Sequence, residues 1–285
     1  MTQSKNGHLH ALTVDVEDWP QSSLDYSLPI TERAVRNTRR LLDLMAQHNV
    51  KGTFFILGLM AERFPEVVAE IAADGHEIGS HGYSHKPVFS IGPAAFADEL
   101  ARSVGLLEEI SGQKVRGYRA PDFSIRADSL WALDIIADHG LCYDSSIFPV
   151  QTSRYGIDDA PQRAYRLDNG LLELPLTTLN WGGRRWPVAG GGYLRLLPYA
   201  VTRWAIRRIA AEGRPAVVYL HPYEIDVKEL DEIEWKVPAR MRLTQGLNRR
   251  FVSGRLERLF ADFKFGPVSE VLESCASADW QALPG

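Results

Sequence analysis

The chain has 285 residues, 45% of them hydrophobic and 24% charged, with a formal net charge of −4. This is the make-up of a globular protein long enough to bury one large α/β core, without the basic excess of a nucleic-acid binder. Two cysteines without C-x-x-C spacing, Cys142 and Cys275, exclude a disulfide framework and a thiolate zinc site, and are expected as small buried residues.

The N-terminus, MTQSKNGHLH, carries no apolar h-region, and no long apolar run occurs anywhere. Neither a secretory signal nor a membrane span is therefore expected, and the cytoplasm is the default location. Residues 10–16 (HALTVDV) read as a buried strand with Asp15, Glu17 and Asp18 crowded at its end. On a strand Asp15 and Glu17 share a face, and such crowded acids need a cation or an arginine nearby. A helix follows over 31–48, then a strand over 53–57 (TFFIL), then a helix over 61–73 closed by Asp74-Gly75. Glu77-Ile78 leads into Gly79-Ser80-His81-Gly82-Tyr83-Ser84-His85. Two histidines four apart share one face of a helical turn, where both imidazoles could meet one ion.

A helix is predicted over 93–110, with proline in its first turn. A short strand, 115–118, ends in Arg119-Ala120-Pro121-Asp122-Phe123; a helix over 128–139 and a strand over 141–143 ending in Asp144 follow. Strand, polar loop and helix repeat, which argues for a parallel sheet with covering helices and an active site at the strand C-termini. The stretch 151–199 departs from this, being rich in Gly, Pro and aromatic residues, including Trp181 and Gly190-Gly191-Gly192-Tyr193. It reads as an elaborate functional loop whose aromatics could stack on sugar faces. A helix with a basic face (198–212), a strand (216–220) ending in His221-Pro222-Tyr223-Glu224, and a long last helix (244–260) complete the chain, with 263–272 closing it.

The strand ends thus carry Asp15/Glu17/Asp18, His81/His85, Arg119, Asp144 and His221. Two histidines and a carboxylate leave an open coordination position, the pattern of a catalytic metal. A free carboxylate could take a proton from water, a separate histidine could protonate a leaving amine, and an arginine could orient the base. Together these parts can hydrolyse an amide.

These residues resemble the carbohydrate esterase/polysaccharide deacetylase family with the NodB-homology domain, in the family's motif order along nearly the whole chain. The resemblance implies a single-domain α/β fold, a deformed (β/α)7 TIM-like barrel. The 151–199 stretch would be an insertion and 225–285 a family-specific extension. ALTVDVED is similar to the first motif, T-F-D-D-G, which makes Asp15 the catalytic base. HGYSH is similar to H-[ST]-x-x-H, which makes His81 and His85 metal ligands. RAPDF is similar to R-x-P, with Arg119 orienting the base and the backbone N–H after Pro121, that of Asp122, serving an oxyanion site. YLHPYE is similar to L-x-H, with His221 as general acid. Trp181 and Tyr193 are candidate substrate contacts.

More narrowly, DVEDW, RAPDFS, YDSSIFP, GGGYLRLLPY and HPYEID resemble the subgroup associated with exosortase (PEP-CTERM) exopolysaccharide systems. The implied activity is metal-dependent deacetylation of N-acetylhexosamine units in an exopolysaccharide or its precursor. The implied cofactor is a divalent metal ion, zinc by default, and the implied associate a polysaccharide-synthesis machinery. Val16 occupies the position of the family's metal carboxylate, so Glu17 or Asp18 must stand in, with Glu17 favoured by its shared face with Asp15. Gly82 replaces a hydroxyl residue and Tyr219 a leucine. The acid that would tune His221 is not clearly placed: Asp144 and Glu173 are candidates, with ordinary structural roles as the favoured alternative. The competing readings are a cyclic amide hydrolase of the allantoinase type, a sugar deformylase, or an inactive sugar-binding module.

Overall fold

The computed structural model describes residues 7–275 apart from 151, 153 and 154. Strand β1 (Leu9–Val16) is buried at all but its first residue, as befits a parallel strand covered on both faces. A short helix α1 (Trp19–Ser23) leads to α2 (Glu32–Gln47) and β2 (Thr53–Ile56). Helices α3 (Gly58–Arg63) and α4 (Pro65–Ala73) precede β3 (Glu77–Ser80), and α5 (Val88–Ser111) precedes β4 (Gly117–Tyr118). Helix α6 (Trp131–Asp138) is followed by β5 (Tyr143–Asp144), β6 (Tyr165–Arg166), β7 (Leu172–Glu173) and the hairpin β8 (Thr178–Trp181)–β9 (Arg184–Pro187). Then come α7 (Gly191–Leu196), α8 (Tyr199–Ala211), β10 (Val217–Leu220), α9 (Ala239–Gly246), α10 (Val252–Asp262), β11 (Lys264–Gly266) and α11 (Val268–Cys275).

The main sheet runs β10-β1-β2-β3-β4-β5-β7-β6. All neighbours from β10 to β7 are parallel, so seven parallel strands form the curled wall; β6 is an antiparallel edge and β11 pairs with the start of β1. Among the described residues no backbone ladder joins β7 to β10. Instead the Thr177 hydroxyl accepts from the Val217 N–H at 2.6 Å and lies 3.1 Å from its carbonyl oxygen. On the same edge the Tyr219 N–H donates to the Ala189 carbonyl at 3.2 Å in an isolated bridge, so closure rests on local contacts and the barrel is deformed as expected. The stretch 151–199 supplies the seventh parallel strand as well as the hairpin.

Some expected boundaries shift for local reasons. The helix expected over 61–73 is two, because Pro65 opens a new one after Phe64 (φ −137°). The one expected over 244–260 is also broken: Asn248 sits at φ +62°, which ends α9, and a single 3₁₀ turn precedes α10. Neither cysteine is buried, since Cys142 is exposed and Cys275 half-buried, and both are free thiols. No helix among the described residues is long and apolar enough to cross a membrane.

Candidate active site

Parallel strands end at one rim, and the register sets the level. Val16, Ile56 and Ser80 are successive partners across β1, β2 and β3, and Ser80 pairs with Tyr118. Residues just past these strands emerge together at the mouth: Glu17 after β1, His81 after β3, Arg119 after β4 and His221 after β10.

Arg119 is fully buried and fully engaged. Its Nη1 donates to Asp15 Oδ1 at 2.9 Å and to Thr13 Oγ1 at 2.6 Å; Nε and Nη2 donate to the carbonyl and hydroxyl of Ser145, each at 2.9 Å. The guanidinium carbon also stands 4.3 Å from the Phe55 ring centre. A planar fork held on every side fixes the carboxylate of Asp15 in one orientation.

Glu17, His81 and His85 are all buried, and their ligand atoms lie within 4.8 Å of one another. Glu17 Oε2 is 3.6 Å from His81 Nε2 and closer still to His85 Nε2. The histidine segment is not the helical turn expected from its spacing. It is a loop bent by Gly82 (φ +73°) and His85 (φ +65°), which brings the two rings to 5.5 Å. His81 Nδ1 lies 2.8 Å from the Arg119 carbonyl, so Nδ1 carries the proton and the Nε2 lone pair faces Glu17. Burial alone would raise the Glu17 carboxyl, yet His85 and His221 hold it well below the usual range. Burial works against protonation of His85, but the Glu17 charge outweighs it and raises the ring. One carboxylate and two imidazoles converging in a buried pocket fit a divalent cation.

Asp18 takes no part in this group. Its Oδ2 accepts the Thr31 N–H at 2.7 Å and its Oδ1 stands 3.8 Å from Arg33, at the junction of α1 and α2.

His221 closes the mouth opposite Asp15. Its Nε2 is 3.9 Å from Asp15 Oδ2 and 3.7 Å from Glu17 Oε1. Its Nδ1 meets Glu224 Oε2 at 3.3 Å, and its ring stacks on Tyr223 at 4.9 Å and 7°. Burial lowers the imidazole, but Glu17, Glu224 and Asp15 together push it up to about 9. Tyr223 also donates its hydroxyl to Glu17 Oε1 at 3.1 Å, tying the histidine shelf to the carboxylate. Sequence reasoning missed Glu224 as the partner of His221. The signal was in HPYE: the Glu224 carboxylate also accepts the His221 backbone N–H, closing a local box three residues long.

Asp144 and Glu173 do something else. Both are fully buried, and both are raised by burial, Glu173 furthest, with the Asp144 charge adding to it. Asp144 accepts from Ser146 N–H and Oγ, and Glu173 accepts the Ile147 N–H at 3.1 Å. The pair pins the loop whose Ser145 holds Arg119 and whose Ser146 holds the Ala120 N–H. Pro121 is buried at the mouth, and Asp122 follows it at φ +54°, ψ +19°, a left-handed conformation unusual for a residue with a side chain.

Of the two aromatic candidates, Tyr193 lies near the site: its hydroxyl is 3.4 Å from that of Tyr155, whose ring neighbours Phe123. Trp181 turns elsewhere, 69% exposed, with its ring against Trp204 of α8 at 6.0 Å. The glycine triplet is closely approached by a side chain. A Cβ on Gly190 would stand 2.1 Å from the Tyr219 ring, and Gly191 needs φ +48°. Tyr219 in turn packs edge-on against Phe123 at 4.9 Å and against His221 at 6.1 Å.

Residues 5–141 match the polysaccharide deacetylase family, and residues 145–273 match DUF3473, a domain of unknown function. The likeness to the polysaccharide deacetylase family thus covers residues 5–141, just under half of the chain. It is 37% identical over 98 residues to a peptidoglycan-N-acetylglucosamine deacetylase of Bacillus cereus, covering 34% of this chain and 36% of that one. The chain spans little more than a third of the length of the curated relatives it matches first. A crystal structure from Mycobacterium smegmatis, assigned as a polysaccharide deacetylase, shares the fold with TM-score 0.69 at 21% identity, covering 100% of this chain and 96% of that one. The Puue allantoinase shares it with TM-score 0.63 at 15% identity, covering 98% and 93%. Of the candidate site, Asp15, Glu17, His81, His85 and Arg119 lie in the part that matches the deacetylase family, whereas His221 and Glu224 lie in the part that matches DUF3473.

Proposed function

We propose that this protein is a metal-dependent N-deacetylase acting on N-acetylhexosamine units of a polysaccharide or its precursor. The observation that carries the reading is one barrel mouth holding three kinds of group: an arginine-locked carboxylate, a His-His-Glu cluster, and a histidine backed by its own carboxylate. Glu17, His81 and His85 would hold the cation, with zinc the default for imidazole and carboxylate donors. A divalent ion in that position supplies Lewis-acid polarisation of the acetyl carbonyl and makes water easier to deprotonate. Asp15, held by Arg119, accepts a proton from the attacking water through Oδ2, the oxygen that faces the mouth. His221, kept protonated by its carboxylate neighbours, donates from Nε2 to the leaving amine. Arg119 keeps Asp15 oriented, and the Glu224 carboxylate accepts the Nδ1–H of His221, which stabilises the imidazolium and leaves the Nε2–H facing Asp15.

The subgroup strings DVEDW, YDSSIFP and HPYEID support an exopolysaccharide as the substrate and association with its synthesis machinery, with action in the cytoplasm before export. Metal analysis paired with acetate release from N-acetylglucosamine oligomers tests the reading. About one divalent ion per chain, acetate release abolished by chelation, and kcat reduced at least ~10³-fold in Asp15→Asn with the metal retained are the expected results. A metal-loaded protein that hydrolyses a cyclic ureide and releases no acetate would refute it.

A further inference from the structure

Between Glu234 and Glu257 the sequence carries six basic residues, Lys236, Arg240, Arg242, Arg249, Arg250 and Arg255, and no acidic one, in a chain of net charge −4. The same segment exposes apolar side chains. Helix α9 has no buried residue, Leu243 is 67% exposed, and Leu247 and Phe251 are each 44% exposed.

This is a held conformation. Arg195, itself buried, donates from Nη1 to the carbonyls of Thr244 (2.7 Å), Gln245 (2.9 Å) and Leu247 (3.2 Å). Buried Arg249 donates from Nε to the Gln245 carbonyl at 2.7 Å. With its carbonyls clasped from within, the loop keeps Leu243, Leu247 and Phe251 in solvent. Around them, Lys236, Arg240 and Arg250 have no ion-pair partner among the described residues, and Arg242 shares only the exposed Asp231 at 3.3 Å. Apolar side chains set among unpaired cations match the two layers of an anionic bilayer surface: acyl chains for the first, phosphate headgroups for the second.

We propose that residues 236–251 dock this protein on an anionic lipid bilayer. The clasp also reaches the site. Arg195 Nε is 3.9 Å from Glu224 Oε1, and Arg249 donates to the Tyr223 carbonyl, so the docked face lies beside the shelf that carries His221. Docking needs no turnover, so vesicle binding tests it whatever the substrate.

Flotation of the full chain with phosphatidylcholine vesicles, with and without phosphatidylglycerol, is the experiment. Binding is expected to the phosphatidylglycerol vesicles and to weaken with salt. Each exposed cation contributes roughly five-fold in partitioning, so Arg240→Gln with Arg250→Gln should lower it about 25-fold. Leu243→Ser with Phe251→Ser should abolish the fraction that survives high salt. All four residues are exposed, so unchanged thermal melting would verify that the variants fold. No flotation, or equal partitioning onto neutral vesicles, overturns the proposal. So does soluble dextran sulfate binding as tightly as vesicles with the apolar pair irrelevant, which would make the segment a polyanion site. Self-association lost in Leu243→Ser/Phe251→Ser, without vesicle binding, would instead make this face an interface between two copies.

Discussion

Of the eight histidines, two are buried far from the mouth and serve as hydrogen-bond acceptors, which makes the fold acid-sensitive in a calculable way. His10 Nδ1 accepts the Ala216 N–H at 2.9 Å while its ring packs against Phe263 and Phe265. His76 Nδ1 accepts the Gly52 N–H at 3.2 Å, with its ring edge on Phe54 at 4.7 Å. Burial, with His8 nearby, lowers His10 to about 4; burial, with Lys51 nearby, lowers His76 to about 4. The unfolded chain takes up these protons near pH 6.5, before the folded one can. Stability is therefore complete above that pH and is lost as the pH falls toward 4. At about pH 5 the linkage amounts to about 2 kcal/mol per histidine, or about 4 kcal/mol for the pair, a large share of a typical domain's ~5–15 kcal/mol. Urea unfolding followed by tryptophan fluorescence at about pH 7.5 and about pH 5 measures it. The reference is His10→Asn/His76→Asn, whose Oδ1 can take the same N–H without titrating. The wild-type loss between the two pH values should exceed the variant's by about 4 kcal/mol. Equal losses in the two proteins would refute the assignment of neutral, accepting imidazoles.

Other consequences concern the mouth. Removing the Glu224 charge in Glu224→Gln lowers the His221 imidazole from about 9, so the alkaline limb of the pH–rate profile should move down by about a unit. An unmoved limb would separate Glu224 from the role proposed for His221. Glu17→Gln should weaken divalent-metal affinity, measured by competition with a chromogenic chelator, far more than Asp18→Asn. The latter keeps an amide oxygen that can accept the Thr31 N–H, whereas Asp18→Ala would lose that bond and about 1 kcal/mol of stability. Glu173→Gln mimics the protonated acid and should unfold within about 1 kcal/mol of wild type, whereas Glu173→Ala orphans the Ile147 N–H and should cost about 1–3 kcal/mol. Gly190→Ala would drive a methyl into the Tyr219 ring beside His221, and kcat should fall while the metal stays bound; full activity would free Tyr219 from any role at the mouth.

Much was legible along the chain. A run of short apolar segments ending in acids, histidines and an arginine can only be a parallel sheet that puts its chemistry at one rim, because strand direction is fixed by the alternation with helices. The motif strings pointed to Asp15, His81, His85, Arg119 and His221, and the fold gathers these five at one mouth. What the chain could not decide were matters of direction at single residues. Asp15 and Glu17 alternate correctly on any strand, but whether Asp18 or Glu17 meets the histidines depends on how α1 leaves the rim, and α1 turns Asp18 toward Thr31. The spacing of His81 and His85 reads equally as helix or as glycine-bent loop, since both bring residues four apart together, and only the packed backbone chose the loop. Glu224 was passed over, and the acid that meets His221 was left unplaced. The acid that reaches His221 is local, three residues on in the same turn, whereas Asp144 and Glu173 meet each other because β5 pairs with β7. The aromatic–glycine stretch was likewise readable as composition and not as placement: Trp181 sits on the hairpin against Trp204, whereas Gly190 lies past it, bridged to Tyr219 of β10.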